Sequence, residues 1–379
     1  MSKRIDAIPA LNVGEDAFER GQAHGRAFAT AIADNVATYL ARFAASGMSR
    51  DAAFDEARAW GAVMQRQNDE YAEEMAGLAR GASIELEAIH LLNARYEIAF
   101  TLFGKDAVSR EKAIAETDGC TTFGIEPGFG NSGTTWLGQN WDWLEGVHGR
   151  TLVLRISRSK KPSLVCLTEA GIVGGKMGVN EVGIGLVENG LASSHDGRNG
   201  RQKPFHMRCR EILDADRFED ALRPVVETKR TCSANFVIGS AGGEIVDLET
   251  SPDHVTPLHP VDGVITHSNH FIGTGLGERG HGESQMEKVG PNTLYRAARL
   301  RRLLLQRPRS LPDLQWLEQV MSDRFGAPNA LSRTPDERQP QARRTMTVAG
   351  VLIDLDARVL HVANGPPHEY AYAPFRLTE

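Results

Sequence analysis

Hydrophobic residues change their spacing near residue 120, and this change divides the chain into two regions. Before it, apolar side chains recur at intervals of three and four positions, which is typical of amphipathic helices. Ser49-Arg50-Asp51 has the composition of a helix start. The pattern therefore predicts a helical N-terminal third. The predicted helices cover residues 17–43, a segment that begins at Ser49, and residues 71–82 and 86–103.

After residue 120, short runs rich in β-branched and aromatic residues alternate with turn residues, which indicates strands. The predicted strands cover residues 121–125, 134–139, 151–156, 163–169, 171–179, 183–189, 234–239, 244–249, 254–257, 264–267, 346–354 and 359–363. Helices are predicted over 206–223, 293–305 and 311–323, and long loops over 273–291 and 325–342. A helical third followed by a sheet-rich region predicts an α+β fold.

The composition is that of an ordinary globular protein. The 379 residues are 24% charged and 41% hydrophobic, so one large domain or two smaller ones are expected. A formal net charge of −6 argues against nucleic-acid and anionic-membrane partners, which require a basic face. No apolar run reaches the ~18 residues of a membrane span, and the N-terminus lacks the apolar core of a secretory signal.

The cysteine content fits a reduced compartment. Cys120, Cys166, Cys209 and Cys232 are too few for a disulfide scaffold of this size, and none forms a C-x-x-C pair. A cytoplasmic location is therefore expected. Cys166, Cys209 and Cys232 have no context that suggests chemistry, and we interpret them as buried apolar filler.

Cys120 has a more informative context. It lies in Asp118-Gly119-Cys120-Thr121-Thr122, where the helical region gives way to strands, and Gly138-Gln139-Asn140-Trp141-Asp142 follows it. A glycine before a cysteine lets the backbone approach a reacting group closely. From Cys120 alone, a buried core cysteine in a turn that enters a strand would still be the favoured interpretation.

These two motifs resemble those of the N-terminal-nucleophile (Ntn) hydrolases, and within them the penicillin acyltransferase family. Further segments follow in that family's order along nearly the whole chain. They are Gln22-Ala23-His24-Gly25-Arg26, Leu92-Asn93-Ala94-Arg95-Tyr96-Glu97, Thr168-Glu169-Ala170-Gly171-Ile172, Glu249-Thr250-Ser251-Pro252, His267-Ser268-Asn269-His270 and Arg344-Thr345-Met346-Thr347. Several such motifs in one order make a chance resemblance implausible.

The resemblance implies a four-layer αββα sandwich that cuts its own chain between Gly119 and Cys120. Residues 1–119 would form a helical α-subunit, and residues 120–379 a sheet-rich catalytic β-subunit, within one structural domain. Cleavage would leave Cys120 with both a thiol and an α-amine, whose pKa values lie near ~8.5 and ~7.7–8.0. The amine could then act as the base for its own thiol, without a catalytic histidine.

The resemblance also implies roles for individual side chains. Asp142 would hold the new amine, and its alternative is a turn or N-cap carboxylate. Asn269 would donate its amide to the oxyanion, or it is an ordinary loop asparagine. Arg344 would lie near Asp142 and Cys120 and fix the carboxylate, or it is a solvated arginine. Ser251 would contact the substrate on the amine-leaving side, although Thr250 could do the same.

The expected reaction is hydrolysis of a linear amide through a thioester acyl-enzyme, with water as the default acceptor. The partners would be a small-molecule amide or acyl substrate and the two fragments of the chain itself. Two alternatives stay open: acyl transfer from a thioester donor to an amine, and a non-catalytic binding protein on the same fold. No cofactor is expected. The His267-x-x-His270 pair lacks the HExxH context of a zinc site, so no metal is expected either.

Overall fold

The N-terminal region of the chain is helical, as predicted. The computed structural model describes residues 3–109, 119–277, 279–308 and 310–378, and only the backbone of residues 103–109. A short strand, β1 (Ala10–Val13), precedes the helices α1 (Ala17–Ala27), α2 (Ala29–Ala45), α3 (Arg50–Gln67), α4 (Asp69–Ala82), α5 (Leu86–Asn93) and α6 (Arg95–Ser109). Ser49 caps α3, because its hydroxyl accepts from Ala52 N at 3.2 Å.

The remainder of the chain alternates strands with a few helices. The strands are β2 (Thr121–Ile125), β3 (Trp136–Leu144), β4 (Thr151–Ile156), β5 (Leu164–Glu169), β6 (Met177–Asn180), β7 (Ile184–Gly190), β8 (Ala234–Ser240), β9 (Ile245–Thr250), β10 (Val255–Leu258), β11 (Val264–His267), β12 (Thr345–Asp354), β13 (Val359–Ala363) and β14 (Tyr372–Arg376). The helices are α7 (Phe205–Leu213), α8 (Phe218–Val226), α9 (Met286–Val289), α10 (Thr293–Leu305) and α11 (Asp313–Met321).

These strands form two sheets that lie face to face. Within the described residues, one sheet has the order β1-β4-β5-β6-β7-β8-β9-β10, and the other has the order β11-β2-β3-β12-β13-β14. Leu137 and Leu355 fill the space between them, packing over Gly185 and Gly239. Helices α7 and α8 cover the outer face of the first sheet, and α10 and α11 cover that of the second. The predicted αββα sandwich is therefore confirmed.

Burial on both faces explains why β3 is longer than predicted. Every residue of Trp136–Leu144 is buried, so the strand has no alternation of polar and apolar positions to mark its end. The strand continues to Leu144 and so includes Asp142, whereas the predicted strand ends at residue 139. The short edge strands β1 and β14 were not predicted, and β14 contains a proline that weakens the strand pattern.

Two predicted elements differ from the prediction, one because of a side-chain contact from another strand and the other because of the backbone conformation of two glycines. The helix predicted over 206–223 divides into α7 and α8, because Asn180 Nδ2 donates to Leu213 O at 3.0 Å and Ala215 O at 2.7 Å and so ends α7. The strand predicted over 171–179 is reduced to β6, since Gly171 and Gly175 adopt φ values of 95° and 115°. Within the described part of the chain, no helix is long and apolar enough to cross a bilayer.

Helices α1 and α4 approach each other more closely than side chains would allow. Each contributes a Gly-x-x-x-Gly pair, Gly21 with Gly25 and Gly77 with Gly81. A Cβ built on Gly77 would overlap the carbonyl oxygen of Phe18, and one on Gly21 would overlap that of Glu74. The buried Arg20 guanidinium then pairs with Glu74 across the crossing. Backbone contact between the two helices therefore depends on glycine.

We expect Gly77→Ala to destabilise the protein although alanine is the better helix former. The added methyl group forces the helices apart, at a cost of about 1–3 kcal/mol for overpacking, against about 1 kcal/mol gained in helix propensity. The measurement is the midpoint of urea unfolding. Arg80→Ala, on the exposed side of α4, is the control and should change stability by less than about 0.5 kcal/mol. A Gly77→Ala protein as stable as the parent would contradict the close crossing.

Candidate active site

Four neighbouring strands bring Cys120, Asp142 and Asn269, three of the predicted site residues, to one end of the six-stranded sheet. In the strand pairings, His267 of β11 lies opposite Thr122 of β2, and Asp142 of β3 lies opposite Thr347 of β12. Thr121 pairs with Asn140, so the residues just before β2 lie level with the end of β3. The register thus aligns Cys120 with Asp142 and with the segment that follows β11.

Cys120 is fully buried at the entrance to β2. Its Sγ donates to the backbone oxygen of Asp142 at 3.7 Å. Gly119 packs against the side chains behind it, since a Cβ built there would lie 2.7 Å from Asp142 Oδ2 and would overlap the Arg333 guanidinium. Only glycine therefore fits before Cys120. Asp118, which the motif also includes, lies outside the described residues.

The Asp142 carboxylate is buried between a hydroxyl and a guanidinium. Thr347 Oγ1 donates to Asp142 Oδ1 at 2.6 Å, and Arg333 Nε lies 3.2 Å from Asp142 Oδ2. Arg333 also donates to Thr345 Oγ1 at 3.1 Å and to Asn292 Oδ1 at 3.2 Å. This arrangement fixes the orientation of the carboxylate beside Gly119.

The structure places Arg333, and not the predicted Arg344, beside the Asp142 carboxylate. Arg344 donates instead to the backbone oxygens of Gln339, at 3.1 Å, and Glu337, at 3.3 Å, in the loop before β12. Side chains alternate along a strand, and Thr345 and Thr347 are the ones that face Arg333 and Asp142. Arg344, one position earlier than Thr345, is turned away from them.

Asn269 is connected to the backbone of Cys120 by a second buried guanidinium, that of Arg296. Its Oδ1 accepts from Arg296 Nη2 at 2.6 Å, and its Nδ2 donates to Gly190 O at 2.9 Å. Arg296, on α10, also donates to the backbone oxygens of Gly119 and Cys120, the latter at 2.8 Å. Asn269 is thus held at the reaction centre that the sequence predicts, with its amide group directed at Gly190.

Ser251 lies in the other sheet, directly after β9. Its hydroxyl is 3.0 Å from His281 Nδ1, and the opposite nitrogen of that ring is 2.7 Å from Thr256 Oγ1. The neighbouring Thr250 uses its hydroxyl to donate to Ala234 O at 2.7 Å. Ser251 therefore belongs to a hydrogen-bonded group that holds the segment around His281 against β9 and β10.

His267 is engaged on both ring nitrogens. Nε2 lies 2.8 Å from Glu249 Oε1, and Nδ1 lies 2.8 Å from Ser268 O, so each nitrogen faces an acceptor. Burial alone would lower the pKa of His267, but the carboxylates of Asp247 and Glu249 outweigh it and raise this pKa to about 9. An imidazolium has no lone pair for a metal. In the described ranges, no group of three or more His, Cys, Asp or Glu side chains is arranged to hold a metal ion.

A buried charge cluster lies behind Trp141 and joins two of the predicted motifs. Arg95, at the start of α6, forms an ion pair with Glu169 at the end of β5. Lys176 Nζ lies 3.2 Å from Glu169 Oε1 and 3.3 Å from the centre of the Trp141 ring. Burial and the adjacent Arg95 guanidinium lower the pKa of Lys176. Arg95 and Glu169 thus connect the helical region to β5, and Lys176 connects this pair to Trp141 of β3, the strand that carries Asp142.

A comparison of sequences matches residues 129–368, more than half of the chain, to the family described as acyl-coenzyme A:6-aminopenicillanic acid acyl-transferase. The chain belongs to this family. The resemblance inferred from the motifs is therefore confirmed, although the matched segment begins after Cys120. A relative from Emericella nidulans, the acyl-coenzyme A:6-aminopenicillanic-acid-acyltransferase 40 kDa form, is 29% identical over 244 residues. Those residues make up 64% of this chain and 62% of that relative, which is less than two thirds of its length.

Solved structures similar to this acyltransferase-family chain share little sequence with it. An N-acylethanolamine-hydrolyzing acid amidase ortholog from Caenorhabditis elegans is 15% identical and covers 62% of this chain and 93% of its own, with a TM-score of 0.45. Penicillin V acylase from Agrobacterium tumefaciens is also 15% identical and covers 65% and 83%, with a TM-score of 0.44.

Neither buried arginine of this family member was predicted from the sequence, although the sequence carries a signal for one of them. Arg296 lies on the buried stripe of α10, in step with Thr293, Ala297 and Leu300, whereas the other arginines of that helix are more exposed. A charged residue on an apolar helix face indicates a buried partner. Arg333 lies in a segment that reads as a polar loop, and no periodic pattern distinguishes it there.

We expect Arg333→Gln to destabilise the protein far more than Arg344→Gln. Removing Arg333 leaves the Asp142 carboxylate buried without its guanidinium, at a cost of about 3–5 kcal/mol. The Arg344 side chain bonds to the carbonyls of Gln339 and Glu337 in a partly exposed loop, so its loss should cost about 1 kcal/mol or less. Urea unfolding of both variants, in a Cys120→Ala background, is the measurement. Equal losses, or a larger loss for Arg344→Gln, would contradict the assignment of Arg333 to Asp142.

Proposed function

We propose that this chain is a self-processing enzyme with an N-terminal cysteine nucleophile. It cuts its own Gly119–Cys120 bond, yields fragments 1–119 and 120–379, and then uses Cys120 to attack a small-molecule N-acyl amide through a thioester acyl-enzyme. Water is the default acceptor. A reducing, cytoplasmic setting belongs to the same proposal, since the four cysteines are buried thiols that form no disulfide bond.

One observation carries this proposal: Cys120 stands directly before β2, with Gly119 pressed against the Asp142–Arg333 pair. Cutting the bond after Gly119 would create the new amine of Cys120 beside the Asp142 carboxylate. A charged partner at that place would hold the amine in position over its own thiol. A cysteine that served only as core filler would not require a glycine and a buried ion pair on its N-terminal side.

The chemistry follows from ordinary acid–base properties. An α-amine titrates near ~7.7–8.0, so an appreciable fraction is unprotonated at neutral pH and can accept the thiol proton. The thiolate attacks the amide carbon, the leaving amine takes up the proton, and a thioester remains on Cys120. Water then attacks the thioester and releases the acid. No metal or cofactor takes part in these steps.

The neighbouring side chains have separate roles in this proposal. Asp142, held by Arg333 and Thr347, orients the amine. Asn269 supplies an amide donor for the oxyanion of the acylation reaction, once a bound substrate competes with Gly190 for it. Ser251, with its hydroxyl shared with His281, contacts the substrate from the neighbouring sheet.

Acyl transfer to an amine is a second candidate function, and the family description favours it. The Emericella nidulans relative is named for acyl-coenzyme A and 6-aminopenicillanic acid, a thioester and an amine. A thioester acyl-enzyme is common to both reactions, because they differ only in whether water or an amine attacks it. The acceptor site, and not the nucleophile, therefore distinguishes them.

We expect the recombinant protein to mature into fragments 1–119 and 120–379. Cys120→Ala should remain a single chain without activity, because no thiol is left to attack the Gly119 carbonyl. Intact mass under denaturing conditions measures this directly. Cys166→Ala, the same substitution at a buried cysteine of β5, is the matched control and should mature like the parent. An uncut parent chain, or a Cys120→Ala chain that is still cut after Gly119, would refute the proposed nucleophile.

Competition between water and an amine, measured on mature protein, identifies the acceptor of the acyl group. With an acyl-coenzyme A thioester alone, a hydrolase releases free acid. We expect free acid to remain the main product when 6-aminopenicillanic acid is added in excess, as followed by mass spectrometry. Conversion mainly to the N-acyl product would instead establish the transferase. Mature protein that binds these compounds but converts neither would indicate a binding protein.

A further inference from the structure

The Arg296 guanidinium is fully buried and contacts the peptide bond that self-cleavage would break. It lies within α10, on the outer face of the six-stranded sheet, and reaches the chain at the entrance to β2. Nη1 donates to the carbonyl oxygen of Gly119, to that of Cys120 at 2.8 Å and to Thr121 Oγ1 at 2.6 Å. The carbonyl of the scissile bond therefore already carries a cationic donor in the uncut chain.

We propose that Arg296 is a catalytic residue for self-cleavage, because its guanidinium stabilises the oxyanion that forms on Gly119 O. This assignment rests on the proposed function, since it concerns the same bond. It adds the group that stabilises the developing negative charge to the nucleophile and the carboxylate already described. Self-cleavage and the later turnover of substrate would then use different oxyanion donors, Arg296 for the first and Asn269 for the second.

The bond changes balance as follows. The Cys120 sulfur forms a bond to the Gly119 carbonyl carbon, and the carbonyl electron pair moves onto Gly119 O, beside Arg296 Nη1. As the carbonyl re-forms, the Gly119–Cys120 carbon–nitrogen bond breaks, and the thiol proton ends on the Cys120 nitrogen. Water then attacks the thioester, an oxyanion forms again on the same oxygen, and the products are the Gly119 carboxylate and the free Cys120 thiol.

Asn269 does not perform this task in the uncut chain. Its Nδ2 donates to Gly190 O at 2.9 Å, and its Oδ1 is taken by Arg296 Nη2 at 2.6 Å. A guanidinium is also the stronger partner, because a full positive charge in a dry site stabilises developing negative charge more than an amide dipole does. The remaining Nε of Arg296 donates to Asn292 Oδ1 at 2.9 Å, which fixes the plane of the guanidinium.

A purely structural role is the alternative, since the same bonds also tie α10 to β2 and β11. The two roles differ in what they change. A structural tie affects the stability of the uncut chain, whereas a catalytic group affects the rate of cleavage in protein that is folded. Both quantities can be measured on the same substitutions, because Cys120→Ala is expected to keep the chain intact for the stability measurement.

The test compares Arg296→Gln, Arg296→Lys and the control Arg302→Gln. Arg302 lies on the exposed side of the same helix. Cleavage after Gly119 is followed by intact mass from the end of synthesis onward. We expect Arg296→Gln to slow it on the order of 10²–10³-fold, the scale of losing one oxyanion donor. Arg296→Lys should be intermediate, because a lysine keeps the charge but lacks the planar fork. Arg302→Gln should mature at the parental rate.

Thermal unfolding of each variant in the Cys120→Ala background completes the test. Folded Arg296→Gln or Arg296→Lys protein that matures at the parental rate would overturn the proposal. Loss of folded protein with both substitutions would assign Arg296 a structural role and would overturn it as well. A parent chain that is never cut is a different outcome, because it refutes the proposed function itself and would be seen before any Arg296 variant is made.

Discussion

Two guanidinium groups buried at one end of a sheet impose the strongest constraint on this structure. Arg296 and Arg333 are both almost completely excluded from solvent, and the side chain of Asn292 accepts from both of them. Removing a guanidinium from water is costly unless nearly every donor finds an acceptor. The acceptors come from β2, β3 and β12, from the residues next to β2 and β11, and from Asn292 before α10, so the register of the sheet and the burial of the arginines depend on each other.

The burial of these two arginines also determines where the charged and polar groups lie around Cys120. Arg333 is matched by the Asp142 carboxylate, whereas Arg296 is matched mainly by backbone and amide oxygens. The Arg296 guanidinium therefore lies on the carbonyl oxygen of Gly119, whereas the Asp142–Arg333 pair lies against the α-carbon of the same residue.

Much of this arrangement could be predicted from the sequence. The periodic helices, most strands and an α+β fold follow from local patterns, whereas the layered sandwich follows from the resemblance to a known family. The motifs around Cys120, Asp142 and Asn269 name residues that the fold does bring together. The sequence could not show that Arg333, and not Arg344, contacts Asp142, because both arginines lie in or next to a polar loop. The two are distinguished only by the direction of the Thr345 and Thr347 side chains, which face Arg333 and Asp142. The length of β3 was hidden because both of its faces are buried. The division of 206–223 into two helices depends on Asn180, which is distant in sequence.

The cluster behind Trp141 has a consequence for the integrity of the molecule. Tyr39 and Arg95 from the helical region both contact Glu169, Tyr39 Oη at 2.5 Å from Glu169 Oε2, and Asn93 Nδ2 donates to Gly171 O at 3.0 Å. Pulling the helical region away would leave the Glu169 carboxylate without these partners, in addition to exposing the apolar faces of α2 and α5. A cut between the helical region and the sheet-rich region would therefore leave the two pieces bound to each other. The two pieces would remain one cooperative unit that melts in a single step, with new chain ends at Gly119 and Cys120.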